Sequence, residues 1–134
     1  MILDGKKESA LLREEIKKEI LEIKIRTNKS PGLSVILIGD FAPSQIYVKN
    51  KEKNSKEVGI TSEVIKYSKE VKESEILEKI EELNNNDNVS GILVQLPLPA
   101  HISKEKIINT IKPSKDVDGF HPHCIASLFL KSIK

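Results

Sequence analysis

The sequence predicts an α/β domain of three layers, with helices on both faces of a mostly parallel sheet. Three observations predict it. Helical and strand-like segments alternate along the 134 residues, which is one domain's length. Two of the strand-like segments, 33–38 and 91–96, are nearly continuous apolar runs, as strands buried on both faces require. Glycine or proline stands at most of the junctions between segments.

Residues 9–26 carry Leu12, Ile16, Ile20 and Ile23 at helical spacing. Pro31 and Gly32 close the loop that follows, and the run 33–38 is the first strand, ended by Gly39 and Asp40. Pro43 opens a second helix, because proline is tolerated in a first turn; its apolar positions include Ile46 and Val58, and Gly59 stops it. Residues 61–67 alternate as a strand. Residues 73–83 form a third helix with Ile76, Leu77 and Ile80 inward. The asparagine-rich stretch 84–88 reads as a turn. The run 91–96 is the third strand, ended by Pro97, Leu98 and Pro99. Ser103 is an N-cap for a short helix through 111, with Glu105 in its first turn. Residues 113–122 are a polar loop, and 124–130 are helical again.

Composition narrows the function. With 22 basic and 20 acidic residues the net charge is +2, too balanced for a nucleic-acid or membrane-surface partner. Lysines interleave with glutamates, as on solvated helix faces. No apolar run reaches the ~20 residues of a membrane span, and no secretion leader is visible, so the expected compartment is the cytoplasm. Aromatic residues are scarce, so the core must be aliphatic. The lone cysteine, Cys124, makes neither an intrachain disulfide nor a zinc site. His101, His121 and His123 lack a zinc spacing, and no metal is expected. No G-x-G-x-x-G follows any strand.

In such sheets ligands bind beyond the carboxyl ends of the strands. Segments 39–44, 95–99 and the loop containing 115–119 should therefore meet at one cleft. Tyr47 and Lys51 lie four apart on the second helix and share a face. A phenol can orient an amine, and partial burial favours the neutral amine that a general base needs, although many surface pairs show this spacing. Gln95 ends an apolar strand and needs partners, either loop backbone or a charged group across the cleft. Asp116 and Asp118 lack the oxygen-rich set a hard cation needs. A single carboxylate there can instead grip a heterocycle that offers an N–H and an exocyclic amine.

Several long segments resemble one family closely. Residues 3–6, 31–40, 43–51, 57–60, 91–99 and 113–122 are similar, in order, to the opening and the signatures of the bifunctional methylenetetrahydrofolate dehydrogenase/methenyltetrahydrofolate cyclohydrolase family. The resemblance implies one-carbon folate metabolism and purine biosynthesis. The reactions are oxidation of 5,10-methylenetetrahydrofolate with NADP, or NAD in some members, then hydrolysis to 10-formyltetrahydrofolate. It implies that Lys51 is the catalytic lysine, that Tyr47 packs on the substrate's aminobenzoyl ring, and that Gln95 positions the lysine. It implies that Asp118 holds the pterin edge, and that Ser44, Leu96, Pro97, Leu98 and Pro99 line the pocket.

Family members run to about twice this length. Their second, Rossmann-like half binds the nucleotide and supplies most of a homodimer contact. The expectation is therefore that residues 1–134 form the folate-binding catalytic domain without the cofactor domain, with no dehydrogenase activity, at most weak cyclohydrolase turnover, and exposed apolar surface. An alternative is a non-catalytic folate-binding or assembly module acting with a separate nucleotide-binding partner. A receiver-like signalling domain would need acidic residues clustered after the first strand, where Asp40 stands alone.

Overall fold

A computed structural model describes residues 4–131; Leu3 of the opening motif and the last three residues lie outside the described residues. Helix α1 spans Gly5–Thr27. It begins before the apolar spacing does, because the Asp4 carboxylate accepts from the N–H groups of Lys6 and Lys7 and caps it. Asn28, at φ 54°, ends it in the left-handed conformation that asparagine tolerates. Strand β1 is Gly32–Ile38, helix α2 is Ala42–Val58, and strand β2 is Thr61–Tyr67. Helix α3 is Glu73–Asn84, strand β3 is Gly91–Val94, and helix α4 is Lys104–Thr110. A single 3-10 turn, Pro113–Lys115, interrupts the expected polar loop, and helix α5 is Pro122–Lys131.

The sheet order is β2-β1-β3, and both pairings are parallel. Leu33 stands beside Ser62 on one side and Gly91 on the other. The chain leaves β1 in one direction to reach β2, then crosses back to the far side of β1. Right-handed crossovers put the two connecting helices on opposite faces. The packing agrees. Val35, Leu37 and Leu93 meet Val48 of α2 on one face. Ile36, Ile38, Ile92 and Val94 meet Ile76, Ile80 and Leu83 of α3 and Ile107 of α4 on the other. Neighbouring residues of β1 thus serve opposite cores, which is why its sequence does not alternate.

Helix α1 packs on α2 rather than on the sheet. Ile20 is its one fully buried residue, set against Gly59. Leu12, expected on the inward stripe, is exposed, and so is Ile46 of α2, because Val48 takes the sheet-facing position. Strand β3 stops at Val94, two residues short of the expectation. The Gln95 N–H still donates to Ile36 O at 2.9 Å, but the Leu96 carbonyl turns to side chains instead of a neighbouring strand.

Candidate functional site

The strand order reverses at β1 and β3, so the crevice between their carboxyl ends is where a parallel sheet offers a ligand site. Two chain segments flank it. After β1 the backbone turns through Gly39, at φ 81°, into α2, whose first turn holds Pro43 and Ser44. After β3 come Gln95 and the cis peptide between Leu96 and Pro97. Ser44 Oγ, buried, donates to Leu96 O at 3.1 Å and ties the two segments together.

Gln95 stands at the centre of this junction. Its Nε2 donates to Leu96 O at 2.9 Å, and its Oε1 accepts from Lys51 Nζ at 3.4 Å. An ammonium only donates and a carbonyl only accepts, so one orientation of the amide satisfies both. Gln95 has partners of both kinds, loop backbone and a charged side chain. The 3.4 Å separation is at the long limit of a hydrogen bond. Lys51 is half-buried, one turn beyond Tyr47, which is 62% exposed. The Tyr47 hydroxyl does not hold the amine; among the described residues Gln95 does.

Asp118 approaches from the other side. It lines an apolar cleft with Leu96, Leu98, Lys104 and Phe120 over Ile92 and Val94, and Lys104 Nζ sits 5.4 Å from the Phe120 ring centroid. Of the expected wall, the two leucines face this cleft. Pro97 and Pro99 do not line it and instead set the path of the chain, with Pro99 O accepting from Ile102 N–H at 3.0 Å.

The two aspartates of the loop have opposite surroundings. Asp116 Oδ1 accepts from Gly119 N–H at 3.0 Å and Oδ2 from His121 N–H at 2.8 Å. Asp118 is exposed and accepts from none of the described residues, so its carboxylate is available to a ligand.

The stem of this loop rests on α3. Lys115 Nζ donates to Leu83 O at 2.9 Å and Asn86 O at 2.8 Å, and Lys112 Nζ to Asn84 O at 3.2 Å. Two cations thus meet the negative end of the helix. Asn84 is buried, donates to Thr110 O at 2.7 Å and accepts from Lys112 N–H at 2.9 Å. Sequence reading took the asparagine run for a plain turn and missed this role. The only signal was two lysines close behind a short helix, and their target becomes visible once α3 and α4 are packed.

The remaining candidates are occupied structurally. His101 Nε2 meets Val71 O at 2.8 Å, and His121 Nδ1 accepts from His123 N–H at 3.1 Å. Among the described residues no three His, Cys, Asp or Glu side chains gather as a metal would need. Desolvation, then the neighbouring Asp116, pushes the Cys124 thiol above its ordinary pKa, which leaves little nucleophilic thiolate at neutral pH.

Fold and site together define a parallel α/β domain with a lysine–glutamine pair at its switch point and a carboxylate in the adjoining cleft. Comparison with known proteins agrees. The profile of the tetrahydrofolate dehydrogenase/cyclohydrolase catalytic domain matches residues 3–118, and the chain belongs to that family. The bifunctional protein FolD of Pelagibacter ubique is 59% identical over 128 residues, 96% of this chain and 46% of that protein. The crystal structure of bifunctional FolD, methylenetetrahydrofolate dehydrogenase/cyclohydrolase, from Campylobacter jejuni matches with a TM-score of 0.93 at 46% identity, over 97% of this chain and 46% of that one. That of the Trypanosoma brucei methylenetetrahydrofolate dehydrogenase-cyclohydrolase, complexed with NADP cofactor and inhibitor, matches with a TM-score of 0.94 at 29% identity, over 98% of this chain and 45% of that one. The chain spans under half the length of these relatives.

NADP does not fit the turns described here. A dinucleotide pyrophosphate needs glycines and free N–H groups at a helix N-terminus. The turn after β1 has one glycine and then Pro43 in the first turn of α2, and the turn after β3 carries two prolines.

Proposed function

We propose that these 134 residues form the folate-binding, catalytic half of a methylenetetrahydrofolate dehydrogenase/cyclohydrolase, working in cytoplasmic one-carbon metabolism that serves purine biosynthesis. The observation that carries the reading is the Lys51–Gln95 contact at the switch point, beside a cleft that holds an otherwise unpartnered Asp118.

In this reading the Asp118 carboxylate accepts two N–H groups from the pterin edge, a charge-assisted bidentate pair. Tyr47, exposed on α2, offers its ring to the aminobenzoyl group. Lys51 then sits at the one-carbon unit between them. In the hydrolysis, the oxygen of water bonds to the methenyl carbon while a base takes its proton. One carbon–nitrogen bond then breaks as that nitrogen gains a proton and the new hydroxyl gives up its own, which leaves the formyl group on the other nitrogen. Lys51 Nζ carries the proton, and Gln95 Oε1 holds the amine in place. Ser44 and Gln95 both bond Leu96 O and so fix the wall of the pocket.

The oxidation needs a nicotinamide dinucleotide over the same carbon. No turn here fits its pyrophosphate, so we assign NADP to a separate dinucleotide-binding unit and the main contact of a homodimer to that unit as well.

Calorimetric titration with tetrahydrofolate tests the reading. Saturable binding is expected, weakened about 10- to 100-fold by Asp118→Ala, since a charge-assisted pair contributes about 1.5–3 kcal/mol. A folded protein that binds no tetrahydrofolate would refute the assignment.

A further inference from the structure

Asp118 stands at the apex of a loop that nothing in its own side chain holds in place. The order comes from its neighbour two residues back. The Asp116 carboxylate accepts from Gly119 N–H at 3.0 Å with one oxygen and from His121 N–H at 2.8 Å with the other. These bonds reach past Asp118 on the carboxyl side and draw the loop into a closed bend. Gly119, at φ 70°, makes the reversal, and a Cβ there would touch nothing. At its base the bend is fixed to the sheet, where Asp116 bridges Ile92 in parallel. Just before it, Lys115 is held on the end of α3 by two carbonyls.

We propose that Asp116 is the positioning residue that aims Asp118 at its ligand; the inference rests on the folate reading above. A carboxylate on an unrestrained loop must be ordered when the ligand arrives, and that cost is subtracted from affinity. A loop closed in advance by Asp116 avoids it, and the site depends on such support around the contacting group. Replacing Asp116 with asparagine keeps the shape and removes one acceptor. The amide then turns an NH2 group toward one of the two backbone N–H groups, and the bend opens on that side.

The test is tetrahydrofolate titration of wild type, Asp116→Asn, Asp118→Ala and the double variant, with amide hydrogen exchange on the first two. Asp116→Asn is expected to weaken binding about tenfold, as small misplacements of a contacting group do. In the Asp118→Ala background the same change should cost less than about twofold, because residues acting through one another are non-additive. Gly119 and His121 amides should lose protection, while that of the buried Ile36 keeps it. If Asp116→Asn does not fold, Gly119→Ala carries the test, since it strains the bend without a clash and should also weaken binding about tenfold.

Equal affinity of wild type and the loop variant overturns the proposal while leaving the folate reading intact. So does a loss of the same size with and without Asp118, which would mark a general effect on the fold. No binding by folded wild type overturns the folate reading, and this proposal with it.

Discussion

Gln95 connects three parts of the molecule through one residue. Its backbone N–H extends the β1–β3 ladder by one bond, its Nε2 fixes the turn that follows, and its Oε1 meets Lys51 on α2. A leucine in its place would leave the half-buried ammonium without that acceptor and Leu96 O with one donor fewer. Gly91 matters for a different reason. A Cβ there would lie 2.5 Å from Val117 Cγ1, so the absence of a side chain is what lets the Asp116–Asp118 segment lie against β3. Gly91→Ala should therefore cost about 1–3 kcal/mol in urea unfolding, the usual cost of overpacking. Adding Val117→Ala should recover most of it, since the clash is with that side chain. A single variant as stable as wild type would show that the loop yields without strain.

Helices α3 and α4 are joined at both ends by polar contacts rather than by their apolar faces alone. At one end Glu73 accepts from Ser103 N–H at 2.6 Å and from Lys106 Nζ at 2.7 Å. The Lys106 bond first, then the Ser103 N–H, holds the Glu73 carboxyl below its ordinary value of 4.5. A lowered carboxylate pKa favours the folded state above the unfolded pKa, and the advantage fades as pH falls through the folded one. Wild type should accordingly be more stable than Glu73→Gln at pH 7, and the gap should shrink on acidification below 4.5. Thermal melts of both proteins across that range check it; a gap that stays constant or widens would contradict the assignment. At the other end Lys112 and Lys115 donate to the last carbonyls of α3, the Asn84 amide donates to Thr110 O of α4, and together they set where the Asp118 loop begins.

Across the whole molecule, stability rests on a two-sided aliphatic sheet, and its two faces are unequally covered. The face under α3 and α4 holds most of the buried residues, and the face under α2 holds few. Ile80 is 0% exposed in the larger core, whereas Ile46 is 62% exposed. Ile80→Ala should cost about 2–5 kcal/mol and Ile46→Ala no more than about 0.5, read from urea midpoints. Similar losses at the two positions would mean that the sheet face beside α2 is closed in solution. Several large apolar residues lie at the surface. Leu11 and Leu21 of α1 and Phe129 and Leu130 of α5 are exposed.

The alternation of elements, the parallel sheet and nearly every element boundary were legible in the chain. Unbroken apolar runs, a proline in a first turn and a glycine after a last one are local statements of burial and backbone freedom. The candidate site residues could be named from the chain as well, since Lys51, Gln95 and Asp118 stand in long motifs that resemble one family's signatures in order. Tertiary structure alone decided what they contact. It placed Lys51 on Gln95 rather than Tyr47, turned the leucines and not the prolines into the cleft, and separated the occupied Asp116 from the available Asp118. The reason is range. Propensity and periodicity act over a turn or two of chain. The Lys51–Gln95 contact joins residues 44 positions apart, and the loop's anchors on α3 lie about 30 positions away. Contacts of that span exist only after the crossovers have fixed which strand ends face one another.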